Sequence, residues 1–279
     1  MSDHGLTSND DLLFFYSLFE GIPFYYNYIS ERGGFGKSRQ DLIREDILDE
    51  NSILLNEGRE ILLEEFGKDY STYFSILEAI AGGATTMSRI ADASGIPVHS
   101  LARYISELME DHELIERRAP FDSKESHKMG RYYIGDNFLD SWFRYIFKNK
   151  SRIEMLGSER ITTEMMEDMP VFMGKKFEKF MIAYLSAMNR EGRLRFDRIG
   201  QYWDRGETEI DIIFTNDRDK EIYFGECKLS PKRFNIEAIK MKIRNFIEAG
   251  RKYSDWKKVL NLYTPGAENF LYKSISLSE

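Results

Sequence analysis

The sequence predicts a multidomain, mixed α/β chain with a helical N-terminal segment (residues 1–69), a winged helix-turn-helix (70–150) and a third, C-terminal α/β domain (151–279). Three observations carry this. Phe74, Ile76, Leu77 and Ile80 recur at helical spacing, the mark of a one-sided helix. Leu114–Arg118 and Arg131–Ile134 read as two short strands around the polar loop Asp122–Gly130, as a wing requires. From Leu194 onward, runs rich in Ile, Phe and Tyr alternate with polar turns, which is strand patterning.

The first segment is acidic and dense in aromatics: Phe14-Phe15-Tyr16, Phe19, Phe24-Tyr25-Tyr26 and Tyr28. Gly21-Ile22-Pro23 breaks it, since the residue before proline avoids the α region. A further helix runs from Ser52 or Glu57 to Phe66. In the second region, Gly82-Gly83 ends the first helix. Thr85-Thr86 can cap the next, whose inner face is Met87, Ile90 and Ala91. Ala93–Pro97 forms the tight turn of the motif. The recognition helix covers His99–Glu110, and Phe138, Trp142, Phe143, Ile146 and Phe147 make an aromatic helix face that closes the domain. Lys148 to Pro170, rich in Met and Glu, reads as a connector. A helix over Met173–Met188, strands at Leu194–Ile199, Glu209–Thr215 and Glu221–Leu229, a helix over Asn235–Ala249 and a last strand at Val259–Tyr263 complete the chain.

Composition narrows the function classes. The longest strongly apolar run, Leu12–Phe19, is far short of a membrane span, and no signal sequence opens the chain. A single cysteine leaves no internal disulfide framework, so a cytoplasmic setting without membrane contact is expected. Four scattered His and one Cys exclude a structural zinc site. The net charge of −8 is uneven: Lys220 to Lys273 holds 12 Lys and Arg against 6 Asp and Glu, a local +6. A basic C-terminal third attracts phosphates; a solvated, lysine-rich helix face explains it equally well.

The most informative stretch is Glu209-Ile210-Asp211-Ile212-Ile213-Phe214, a polar turn, then Ile222–Lys228. Folded as a hairpin about Arg218 and Asp219, it sets Asp211 opposite Glu226. Like charges so placed repel, which makes sense if a cation lies between them. Lys228, two residues on, shares the face of Glu226. An Asp followed by Glu-x-Lys on adjacent strands is the constellation of a metal-dependent phosphodiesterase. Spacing alone also admits a surface ion-pair cluster with Lys228 opposite Glu209. On the second region, Arg103 is opposed by Glu107 and Glu110, while Arg117, Arg118, Lys124, Lys128 and Arg131 of the wing can reach a DNA backbone. His99, His112 and His127 read as polar surface residues.

Gly174-x-x-Phe177-Glu178, Ile199-Gly200-x-x-Trp203-Asp204, Glu209-Ile210-Asp211 and Gly225-Glu226-Cys227-Lys228 together resemble the C-terminal nuclease-like domain of the archaeal DEXX-box, AAA-type ATPase family. That domain belongs to the PD-(D/E)xK superfamily. Upstream, Gly21–Tyr25, Tyr73–Ala81, Asp136–Phe138 and Trp142-Phe143 are similar to the segment after the ATPase core and to the family's winged helix. The resemblance implies a restriction-endonuclease-like domain with a central mixed sheet. It implies Mg²⁺ or Mn²⁺ held by Asp211, Glu226, the Cys227 carbonyl and Glu178, with Lys228 completing the catalytic set. The Cys227 thiol then points into the core. Ile210 stands where the motif has proline. Gly34-Phe35-Gly36-Lys37-Ser38 has Glu31 where a P-loop needs glycine, and no strand precedes it. Neither nucleotide binding nor ATPase activity is therefore expected, and the chain reads as a stand-alone form, a split product or a fragment of such an ATPase. Its N-terminal aromatic segment must then fold back, pair with a second copy or an ATPase partner, or stay exposed. The expected function is a DNA-binding, metal-dependent endonuclease; the alternative is a non-catalytic accessory module of an archaeal ATPase.

Overall fold

The computed structural model describes residues 8–66, 70–124, 127–206, 208–250 and 252–277. The expected boundary at residue 69 and part of the expected 122–130 loop fall outside these. The protein is mixed α/β, with N-terminal helices and a C-terminal mixed sheet of five strands. It divides into two compact units: Phe14–Arg118 with Gly130–Pro170, and Ser8–Leu13 with Ala119–Met129 and the chain from Val171 onward. Among the described residues no helix is long and apolar enough to cross a membrane.

The helices of the first unit begin with the Phe14–Phe19 part of α1 (Asn9–Phe19), α2 (Pro23–Glu31), α3 (Arg39–Leu42), which continues as a π turn over Ile43–Ile47, and α4 (Leu54–Phe66). The aromatic segment folds back: Phe14, Phe15, Phe19, Tyr25 and Tyr26 are buried, and Phe24 stays exposed. Tyr25 stacks on Phe138 at 4.3 Å, the offset geometry that aromatic pairs favour. Lys37 of the glycine-rich run has a structural task. With Arg32 it neutralises the fully buried Asp46, at 2.8 and 2.9 Å. Ser38 caps α3 by accepting the Asp41 N–H.

Helices α5 (Tyr70–Ala81), α6 (Met87–Ser94) and α7 (Val98–Glu110) follow, then the antiparallel ribbon β1 (Ile115–Arg118) and β2 (Arg131–Ile134). Gly95 ends α6 in the left-handed conformation at φ +73°, which glycine adopts without steric cost. Thr86 occupies the N-cap of α6, but its side chain makes no cap bond. After α8 (Asn137–Ser141), Trp142 donates to the Leu55 carbonyl. Gly58 is obligatory beneath it, because a Cβ there would fall inside the Trp142 ring.

The expected connector at 148–170 is instead helical: α9 (Lys150–Leu156) and the first half of the 33-residue α10 (Ser158–Arg190). Met and Glu are good helix formers, and their abundance here reflects that. The division between units falls at Pro170, inside α10, where proline removes one helical hydrogen bond.

The second unit holds the rest of α10 and a sheet in the order β3 (Arg198–Trp203), β4 (Glu209–Asn216), β5 (Glu221–Cys227), β6 (Lys257–Tyr263), β7 (Leu271–Leu277). Neighbours are antiparallel except β5 and β6, which run parallel and are joined through α11 (Ile236–Gly250). Ile239, Ile243 and Phe246 of α11 enter a core with Phe121, Ile210, Ile213, Ile222, Phe224 and Leu260. β3 begins four residues later than expected and runs through Gly200. β7, not anticipated, is a largely exposed edge strand, so its sequence carries little apolar signal.

Candidate active site at the end of the central hairpin

β4 and β5 pair from Asn216–Glu221 at the turn to Ile212–Gly225 at the far end. The turn is pinned by Asn216, which donates to Asp219 at 2.8 Å and accepts its N–H at 3.1 Å. Gly225 is dictated by packing. A Cβ there would lie 2.8 Å from the Tyr263 ring and 2.9 Å from Ile212.

Beyond Ile212 the ladder stops, for a reason on the other side of β4. The β3–β4 register passes from Gly200–Ile213 to Tyr202–Ile210. Three residues of β4 therefore span two of β3, a bulge at Asp211–Ile212. Bulges re-aim side chains beside functional sites. This one explains why Ile210 and Ile213 share one core. It also corrects the simple expectation of Asp211 paired across from Glu226. The Asp211 carboxylate instead takes the Cys227 backbone N–H at 2.8 Å.

Asp211 and Glu226 are 7% and 4% exposed, so the surface ion-pair alternative does not hold. Lys228 Nζ joins them: 2.7 Å from Glu226 Oε1, 3.6 Å from Asp211 Oδ2 and 3.1 Å from the Cys227 carbonyl it donates to. Its own N–H donates to the Tyr263 carbonyl, which anchors it to β6. Lys242 of α11 comes within 3.7 Å of Glu226. Burial, then the Glu226 charge, push the Asp211 carboxyl up to about 6. Burial alone would lower the Lys228 ammonium, but Asp211 and then Glu226 hold it above its ordinary value. Burial likewise pushes the Cys227 thiol up, in keeping with its place in the core.

Glu178 lies on α10, and its carboxylate accepts from Gln201 Nε2 of β3 at 2.8 Å. Burial, then Asp211 and Glu209, raise it well above the usual carboxylate range. Among the described residues no group of three or more His, Cys, Asp and Glu side chains is gathered to hold a metal ion. Glu178, the third carboxylate of the expected ligand set, is engaged by Gln201. Sequence reasoning missed Gln201 and Lys242. The signal for Gln201 was its place inside the Gly200–Trp203 motif, hidden while Gly200 was taken to end a strand.

The predicted DNA-contacting arginines are occupied on their own elements. Arg103 pairs with Glu107 at 2.8 Å, Arg117 lies across Gly130 and near the Tyr132 ring, and Arg118 pairs with Glu116 and stacks over Tyr133. Arg131 stands on β2 beside them, paired with Arg118. Lys128 belongs to the second unit.

Residues 142–240 match DUF234. That family is described as archaea bacterial proteins of unknown function, and the matched stretch contains Glu178, Gln201, Asp211, Glu226 and Lys228. An uncharacterized protein of Methanocaldococcus jannaschii is 36% identical over 223 residues, which is 78% of this chain and 48% of that protein. The chain thus spans about half the length of this relative. No solved structure matches.

Proposed function

We propose that the second unit is a divalent-cation-dependent phosphodiesterase acting on DNA, of the PD-(D/E)xK kind. The observation that carries this is the buried Asp211–Glu226 pair with Lys228 between them at the end of a hairpin. The order helix, three antiparallel strands, helix, parallel strand accords with that superfamily, as does the archaeal-ATPase resemblance of the motifs.

The donor set fits Mg²⁺ or Mn²⁺. Two buried carboxylates and the Cys227 carbonyl offer hard oxygens; burial first, then the Glu226 charge, raises the Asp211 carboxyl. Such an ion polarises a phosphate oxygen and lowers the pKa of a bound water. Asp211 and Glu226 would hold the ion, and Glu178 could add a third carboxylate. Lys228 remains protonated, so it donates to a phosphate oxygen and offsets the charge that builds there as water attacks phosphorus and the ester P–O bond breaks. The first unit, with α6, α7 and the β1–β2 ribbon, serves in this reading as a winged helix that positions DNA, and an ATPase is the partner such a module works with.

One observation favours the alternative of a non-catalytic interaction module: Lys228 Nζ already stands between the two carboxylates, 2.7 Å from Glu226 and 3.6 Å from Asp211. Plasmid cleavage separates the two. The phosphodiesterase reading requires Mn²⁺-dependent nicking by the wild-type chain that Asp211→Asn abolishes. Equal cutting by both, or by neither, leaves the interaction module.

A further inference from the structure

The second unit carries a second concentration of charge. A cavity of about 500 Å³ is lined by Lys124, His127, Lys128, Met129 and Arg205. It is built from two strands of chain far apart in sequence. Phe121 and Met129 are fastened to β3: Phe121 donates its N–H to the Gln201 carbonyl at 2.6 Å, and Trp203 Nε1 donates to the Met129 carbonyl at 2.7 Å. Arg205 comes from the β3–β4 loop. Asp204, the acid beside it, is turned into that loop, where its Oδ1 accepts the N–H groups of Gly206 and Thr208 at 2.8 and 2.9 Å.

Among the described residues the lining is cationic. Lys124, Lys128 and Arg205 are exposed and make no ion pair among the described residues, and no described lining residue is acidic. The nearest acids in sequence, Glu125 and Glu207, lie outside the described residues. Three cations around one concavity match the phosphate ester, a compact anion with several acceptor oxygens. The position matters as well. Trp203 pairs with Glu209 at the start of β4, and Asp211 lies two residues further, about 7 Å along a strand. The cavity and the carboxylate pair thus share one end of the sheet.

We propose that this cavity is a phosphate subsite for the DNA backbone, holding a phosphate of the same substrate on which the Asp211–Glu226–Lys228 centre acts. The inference rests on the phosphodiesterase reading for what the held strand is used for, but binding is tested apart from cutting.

The test is fluorescence anisotropy of a short labelled DNA duplex in EDTA across a salt series, with wild type, the double variant Lys128→Gln/Arg205→Gln and Lys220→Gln. Lys220 sits at the turn end of the hairpin and controls for diffuse charge. The double variant should bind roughly tenfold or more weakly, with a log–log salt slope shallower by about 1.8, since each phosphate contact contributes about 0.9. Lys220→Gln should bind as wild type does. No DNA binding by wild type, no loss in the double variant, or an equal loss in Lys220→Gln would overturn the proposal. So would calorimetry showing that the double variant loses inorganic phosphate binding while keeping DNA binding, which makes free phosphate the ligand. A chain that binds DNA through this cavity yet never cuts in Mn²⁺ contradicts the phosphodiesterase reading and leaves the subsite standing.

Discussion

Removing the Asp211 charge should stabilise the protein while destroying its proposed activity. Asp211 is 7% exposed and faces Glu226 through the shared Lys228. Its carboxyl is raised from 3.8 to about 6. A carboxylate whose folded-state pKa exceeds its unfolded value binds its proton more tightly when folded, so stability falls as pH rises from about 4 to 6 and the full cost is present above that. At about 1.4 kcal/mol per pKa unit, ionised Asp211 costs roughly 3 kcal/mol at pH 8. Asp211→Asn keeps an acceptor for the Cys227 N–H but forfeits the weak 3.6 Å contact with Lys228, so the net gain should be about 1–3 kcal/mol. For a unit of this size that is several degrees of Tm. The assay is thermal unfolding in EDTA at pH 8 and pH 4.5. The variant should be the more stable at pH 8, with the gap closing at pH 4.5, where wild type carries the proton. A variant that is less stable at pH 8, or a gap independent of pH, would refute this reasoning.

Three further outcomes follow from the geometry. Gly225→Ala must force apart Tyr263 and Ile212 and should lose about 1–3 kcal/mol in denaturant titration. Asp46→Ala removes the buried partner of Arg32 and Lys37, which keep access to water, and should cost about 1–2 kcal/mol in the same assay; an unchanged midpoint would mean the cluster is not structural. Lys228→Met should cut the DNA cleavage rate by roughly 10²-fold or more while leaving Mn²⁺ affinity the same or tighter, because it removes the cation that competes for Asp211 and Glu226.

Much of the site was legible because hairpin chemistry is local. Asn216 and Asp219 announced the turn, and counting outward from it brought Asp211, Glu226 and Lys228 to one end. The bulge at Asp211–Ile212 was not legible, since nothing in Ile210–Ile213 distinguishes a bulged strand from a regular one. Gln201 was lost because a glycine inside a strand resembles a strand end, and Gly200 is tolerated in β3 beside Phe121. β7 escaped because an edge strand with most residues exposed lacks the apolar alternation that marks Glu209–Phe214. The helicity of 158–170 was masked by reading Met and Glu as linker composition when both favour helix.

The central claim, that the buried carboxylate pair is a cation site, is tested most directly by titrating Mn²⁺ into the full chain by calorimetry at pH 8. The account predicts one site per chain, weakened at least roughly tenfold by Asp211→Asn and weakened in wild type below pH 6, where a proton competes for Asp211. No binding by wild type, or an isotherm that Asp211→Asn leaves unchanged, would contradict it.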